Sequence, residues 1–206
     1  MDLSKETACI LTSVGKVGNI YFSNAPTMTL RSDNLFSISF FFFLSIKAAF
    51  FLWLVVKKKL GTQDRLHNPQ PGILCLFCGI QIETHEHLLF DCTFSKVVWR
   101  KIQQKGNFHV PNLSWEDLVT WMSTRWKGRS LGTKIKKLCL AVVVYLLWWE
   151  RNQRFHNNTT SRHEDLAATA IEHIRLKLST YKQIEDNESN RRCQQRWNVP
   201  VDIFSP

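Results

Sequence analysis

The stretch CLFCGIQIETHEHLLFDC, residues 75–92, places three cysteines and two histidines in eighteen residues of a chain with six cysteines in all. Cys75 and Cys78 are two residues apart, so one tight turn can aim both sulfurs at a single ion. A second pair of soft ligands must then come from a separate segment to complete a tetrahedron. His87 and Cys92 supply it, giving the pattern C-x2-C-x8-H-x4-C. Three thiolates and one imidazole form a closed set with no open position for water, which suits one structural Zn2+ better than a catalytic one. His85 competes with His87 for the ion. If Leu88, Leu89 and Phe90 begin a helix, the two histidines point in different directions and only one reaches the metal. His87 is the expected ligand, because that apolar run follows it and Cys92 comes about one helical turn later. The plainer alternative makes Cys75 and Cys78 small buried apolar residues and His87 a surface histidine; four suitable ligands in compatible order argue against it.

Working outward, the 206 residues can hold one ordinary domain or two small ones, and a 44% hydrophobic content is enough to bury a core. Cys9, Cys139 and Cys193 are scattered, and no cleavable signal with a basic start leads the chain, so a secreted disulfide scaffold is not expected. A reducing, intracellular setting, nucleus or cytoplasm, fits better. The sequons at Asn112, Asn157, Asn158 and Asn187 are then chance matches. Net charge is +10 and unevenly placed: residues 121–196 carry fifteen Lys and Arg against seven Asp and Glu, the remainder twelve against ten. Such a surplus next to a metal module suits phosphate-backbone binding, and it also suits a merely solvated helical face.

Residues 1–34 are polar and aperiodic, the expected character of a weakly ordered leader. Residues 35–59, LFSISFFFFLSIKAAFFLWLVVKKK, are long and apolar enough to span a bilayer, with Lys57, Lys58 and Lys59 in the place of a cytoplasmic stop. Lys47 interrupts the run at a cost of about 3 kcal/mol on insertion scales, which the Phe and Leu residues could offset. The alternative is a pair of core segments, a strand around Phe40 to Phe43 and a helix from Ala48 to Val56.

FFLWLVVKKKLGTQDRLHN (residues 50–68), CLFC, ETHEHLLFDC and SKVVW together resemble the zinc-binding domain of reverse transcriptases from plant LINE-type retroelements. Trp53, Leu60, Thr62, Arg65, Leu66, Cys75, Cys78, Glu83, His87, Leu88, Phe90, Cys92 and Trp99 take the places of that family's pattern. YLLWWERNQRFHN, residues 145–157, resembles more loosely a Trp-x-Glu-Arg-Asn segment that follows in these proteins. The resemblance implies a soluble segment before the Trp helix and so weighs against a membrane partner. Residues 1–45 depart from the pattern. Neither a Tyr-x-Asp-Asp polymerase motif nor a spaced acidic set for ribonuclease H chemistry is present, so no enzyme activity is expected. Glu83 and Glu86 are expected to be exposed and solvated rather than an acid and base pair.

Beyond the module the patterns are helical. Ser95 to Gln103 is amphipathic, with Trp99 expected on the zinc loop; SWED at Ser114 offers a capping box before a helix through Trp126. Thr133 can open a helix, apolar nearly all round, through Trp149, and Glu164 starts another through Ala167, Ile171, Ile174 and Leu178. Trp148 and Trp149 read as core, whereas Trp126 is the better candidate for stacking on bases. The expected fold is mostly α, a small zinc-stapled Cys3His module packed with a helical C-terminal region. Its parts are a divergent, weakly ordered or apolar leader (1–46), the zinc module (47–105), a helical basic region (106–186) and a tail (187–206). The expected function is non-catalytic: weak, backbone-directed binding of RNA or DNA through Arg125, Trp126, Lys127 and Arg129, with other retroelement proteins as further partners. The alternatives are a structural or protein-interaction remnant without activity, or a membrane-anchored protein through residues 35–56.

Overall fold

A computed structural model describes residues 47–65, 73–128 and 130–204. The leader, the suggested strand at Phe40 to Phe43 and the first part of the apolar run, residues 35–46, lie outside these residues. Among those described the fold is mostly α, and β structure amounts to one antiparallel bridge between Leu74 and Ile82.

Residues 47–56 form α1. Ala48, Ala49, Leu52 and Val55 are buried, and Phe51 meets Tyr145 with ring centroids 5.5 Å apart. This part of the apolar run therefore packs against protein. Among the described residues no helix is long and apolar enough to cross a membrane.

Helix α2 (Thr93–Gly106) ends at Asn107, whose left-handed φ of 50° turns the chain back. Helix α3 (Trp115–Arg125) starts where SWED places it: the Ser114 hydroxyl accepts the Asp117 N–H at 3.2 Å. Helix α4 (Leu131–Asn157) is capped by Ser130 rather than opened by Thr133, because the Ser130 hydroxyl accepts the Thr133 N–H. From Leu138 to Val144 every residue of α4 is buried, which makes it the central helix. Helix α5 (His163–Ser179) lays Leu166, Ala167, Ala170, Ile174 and Leu178 on α4 and α2.

The segment read as a tail is structured. Asn187 caps α6 (Glu188–Trp197), accepting the Asn190 N–H at 2.9 Å, and a 3-10 turn follows at Val201–Phe204. Only a few side chains hold this end down. Trp197 and Ile203 are fully buried, and the Ile184 N–H donates to the Ile203 carbonyl at 2.9 Å. So few apolar residues produce no helical period, and the segment is invisible to pattern reading.

Candidate metal centre

Residues 73–83 form a knuckle closed by backbone bonds. The Cys75 N–H donates to the Gln81 carbonyl at 2.7 Å, and the Gly79 N–H to the Cys75 carbonyl at 2.8 Å. Gly79 has φ of 64°, the left-handed conformation that the turn after Cys78 requires and that glycine adopts without strain. The second ligand pair comes from an unexpected element. His87–Asp91 is a single π-helical turn, in which the Cys92 N–H reaches the His87 carbonyl at 2.6 Å. On an α-helix two side chains five positions apart diverge by about 140°; the wider turn brings His87 and Cys92 to one side. Its carbonyls are satisfied from α2, by the Ser95 hydroxyl on Leu88 and the Trp99 indole N–H on Leu89 at 2.8 Å. Trp99 thus packs on the loop as its place in the amphipathic pattern suggests.

The four sulfur and nitrogen ligand atoms of Cys75, Cys78, His87 and Cys92 all lie within 4.8 Å of one another. The Cys75 and Cys92 sulfurs are 3.9 Å apart, far too distant for a disulfide and close to the edge of about 3.8 Å expected of a tetrahedral thiolate site. Cys78 Sγ and His87 Nε2 are 3.3 Å apart. Backbone N–H groups of Phe77 and Cys78 point at the Cys75 sulfur, and those of Phe94 and Ser95, in the first turn of α2, at Cys92. Such donors stabilise sulfur in its anionic form. The hydrogen bond from Cys75 to Cys92 holds the Cys92 thiol below its ordinary range and, together with burial, pushes the Cys75 thiol up. A soft divalent cation replaces that shared proton, so the donor set and its surroundings fit a metal ion.

His85 does not join the cluster. It is buried edge-on against Trp115, with ring centroids 5.7 Å apart. Burial, reinforced by Arg65 and Lys58, pulls its imidazole down to about 4.

The buried cradle behind the knuckle comes from α4, more than sixty residues further along the chain. Glu83, expected to be exposed, is 0% exposed. Its Oε1 accepts Arg151 Nη2 at 2.9 Å, Arg151 Nε at 3.1 Å and the Gln63 N–H at 3.1 Å. The expectation failed because polar composition alone does not reveal a distant arginine able to compensate a buried carboxylate. Arg154 caps the contacting Phe77 and Phe94 rings, whose centroids are 4.6 Å apart, lying within 4.9 Å of both, and donates to the Leu76 carbonyl at 3.0 Å inside the Cys75 to Cys78 turn. Glu150, also buried, accepts Arg154 Nε at 2.8 Å and the Ser161 N–H at 2.8 Å. The WWERNQR segment therefore supplies the outer shell of the ligand cluster. Its sequence signals are the Trp-x-Glu-Arg-Asn likeness and a charged triplet, Glu150, Arg151 and Arg154, that follows the apolar run of α4.

The nucleic-acid candidates separate. Arg125 and Lys127 are exposed, and Arg129 lies outside the described residues. Trp126 is only 4% exposed, held edge-on by Phe108 and Trp121 at centroid distances of 6.1 and 5.9 Å. It has no free face for a base, which corrects the stacking assignment: the C-terminal end of α3 needs an apolar plug, and Trp126 provides it.

Residues 17–99 match the family described as zinc-binding in reverse transcriptase. The match takes in the whole ligand cluster and α1 and begins at residue 17, which corrects the expectation that residues 1–45 depart from the family pattern: residues 17–45 fall within the match. No curated protein and no solved structure matches the chain.

Proposed function

We propose that the chain is a non-catalytic zinc-binding module descended from the reverse transcriptase of a plant LINE-type retroelement, and that it binds RNA or DNA weakly through the phosphate backbone. The observation that carries this reading is the convergence of Cys75, Cys78, His87 and Cys92 inside the matched range. Four protein donors leave no position for water or substrate, so the ion's contribution is to fold the knuckle onto α2 and α4. Exposed Arg125 and Lys127, within a region of surplus positive charge, are the residues that contact phosphate.

The test is elemental analysis of purified protein combined with RNA titrations at two salt concentrations. One zinc per chain and affinity that falls steeply with salt are expected. Substoichiometric zinc in freshly purified protein would remove the reading, and salt-independent affinity its nucleic-acid half.

A second reading rests on the knuckle tip, where Leu74, Ile80 and Ile82 are exposed together. Small apolar groups in water at a rigid tip suit contact with another protein. Ile80→Asp would abolish that contact while leaving nucleic-acid affinity unchanged.

A further inference from the structure

Between α2 and residues 107–113, with Phe90 and Trp99 on its wall, lies a groove of about 730 Å3. We infer that it takes one unpaired base of a nucleic-acid strand, with Arg100 and Lys96 meeting the adjacent phosphates; this deepens the nucleic-acid reading above and rests on it. The volume lies within the range of about 300 to 1,000 Å3 typical of small-ligand sites.

The lining favours an anionic, flat occupant. Its floor is apolar, formed by Leu118, Met122 and Leu140, and its charged side chains are Lys96 and Arg100, with no carboxylate among the lining residues. Lys96 is shared with Asp91 at 3.2 Å, an exposed pair that contributes little and exchanges readily. The amides of Gln104, Asn107 and Asn112 lie at the rim, where they can pair with base edges without demanding one sequence.

The wall is preorganised. Gln103 accepts the Val110 N–H at 2.8 Å, which ties the loop to α2. Gly106 leaves room for Phe108, since a Cβ there would come within 2.4 Å of that ring. Phe90 is stacked between Trp99 and Trp115 at 5.8 and 5.0 Å, so the lining rings left to offer a face are Phe108 and the exposed His109. Phe108 also meets Trp126, and Trp126 is flanked by Arg125 and Lys127. The basic edge of the groove is on α2, where Lys96 and Arg100 can meet the phosphates on either side of the base.

The experiment titrates the full-length, zinc-loaded protein by fluorescence anisotropy at one salt concentration with oligo-dT, oligo-U and an abasic deoxy strand of equal length. Variants Leu113→Glu and Phe108→Leu are titrated alongside. Leu113 is 42% exposed, so a carboxylate there enters the groove without entering the core. Wild type is expected to bind oligo-dT and oligo-U about tenfold tighter than the abasic strand, and Leu113→Glu to erase that difference with no change in melting temperature. Equal affinity for abasic and normal strands, or a difference that survives both variants, overturns the groove while backbone binding stands. Polyglutamate displacing oligo-dT as well as unlabelled oligo-dT does would reassign the groove to an acidic peptide. Absence of binding to any strand at low salt defeats the nucleic-acid reading itself.

Discussion

Arg151 and Arg154 on α4 and Arg125 and Lys127 at the end of α3 belong to one basic stretch of sequence, yet they occupy opposite environments. The first pair is withdrawn from water, compensates Glu83 and Glu150, and braces the turn that carries Cys75 and Cys78. The second pair is exposed. Of the fourteen described cations between 121 and 196, Arg151 and Arg154 are held in buried pairs, whereas Arg162, Arg175, Lys182, Arg191 and Arg192 pair with carboxylates at the surface, where the partner exchanges readily. A charge surplus therefore overstates the surface available to a polyanion. The positions that matter are those whose charge no fold requirement has already used.

Removing the metal should have the largest effect on this contrast. In a closed Cys3His site, binding free energy on the order of 10 kcal/mol is also folding free energy. Chelation, or Cys92→Ala, is expected to unfold residues 73–105 and move Trp99 into water, as a red shift of tryptophan emission and a lower melting temperature. A Cys92→Ala protein with full metal content and unchanged melting would show that the cluster does not hold the fold together.

Arg151→Met comes next. It leaves the Glu83 carboxylate buried without its cation, and breaking such a pair costs about 3–5 kcal/mol. Adding Glu83→Gln should recover most of the loss, since a buried pair is worth far less than the penalty of orphaning one member. Urea unfolding of the two variants measures this directly, and equal stability of both would mean that the pair is not coupled.

The ligand cluster was legible because spacing in a knuckle is a local property: two residues between cysteines form one turn whatever surrounds them. The π turn at His87–Asp91 was not, because HLLFD contains no glycine or proline to mark it, and the widened turn depends on Ser95 and Trp99 satisfying its carbonyls. The Glu83 and Arg151 pair joins residues 68 apart, which no periodicity can report. Helix α4 was readable from its apolar run, yet its capping residue was missed by three positions, since Ser130 and Thr133 both suit an N-cap and only the backbone chooses between them.

Trp126 tests the boundary between the two environments, because it lies between the exposed Arg125 and Lys127 and is itself buried. Trp126→Ala should cost about 3 kcal/mol through lost burial and the cavity left behind. A stacking residue on the surface would instead lose strand affinity with no change in melting temperature, and that result would reverse the correction made above.

The smallest change in stability belongs to the double variant Arg125→Ala and Lys127→Ala. Both side chains are exposed, so the melting curve should stay within about 0.5 kcal/mol of wild type. The effect appears in the salt dependence. Each phosphate contact on a single strand contributes about 0.7 to the slope of log affinity against log salt, because condensed counterions are released when a cation replaces them. Losing two contacts should flatten the slope by about 1.4 and weaken binding alike for all sequences. Arg151, already engaged with Glu83, contributes nothing to that slope, so a folded Arg151→Met, Glu83→Gln protein should keep the wild-type value. If that protein flattens the slope and the surface variant does not, the assignment of buried and available cations is inverted.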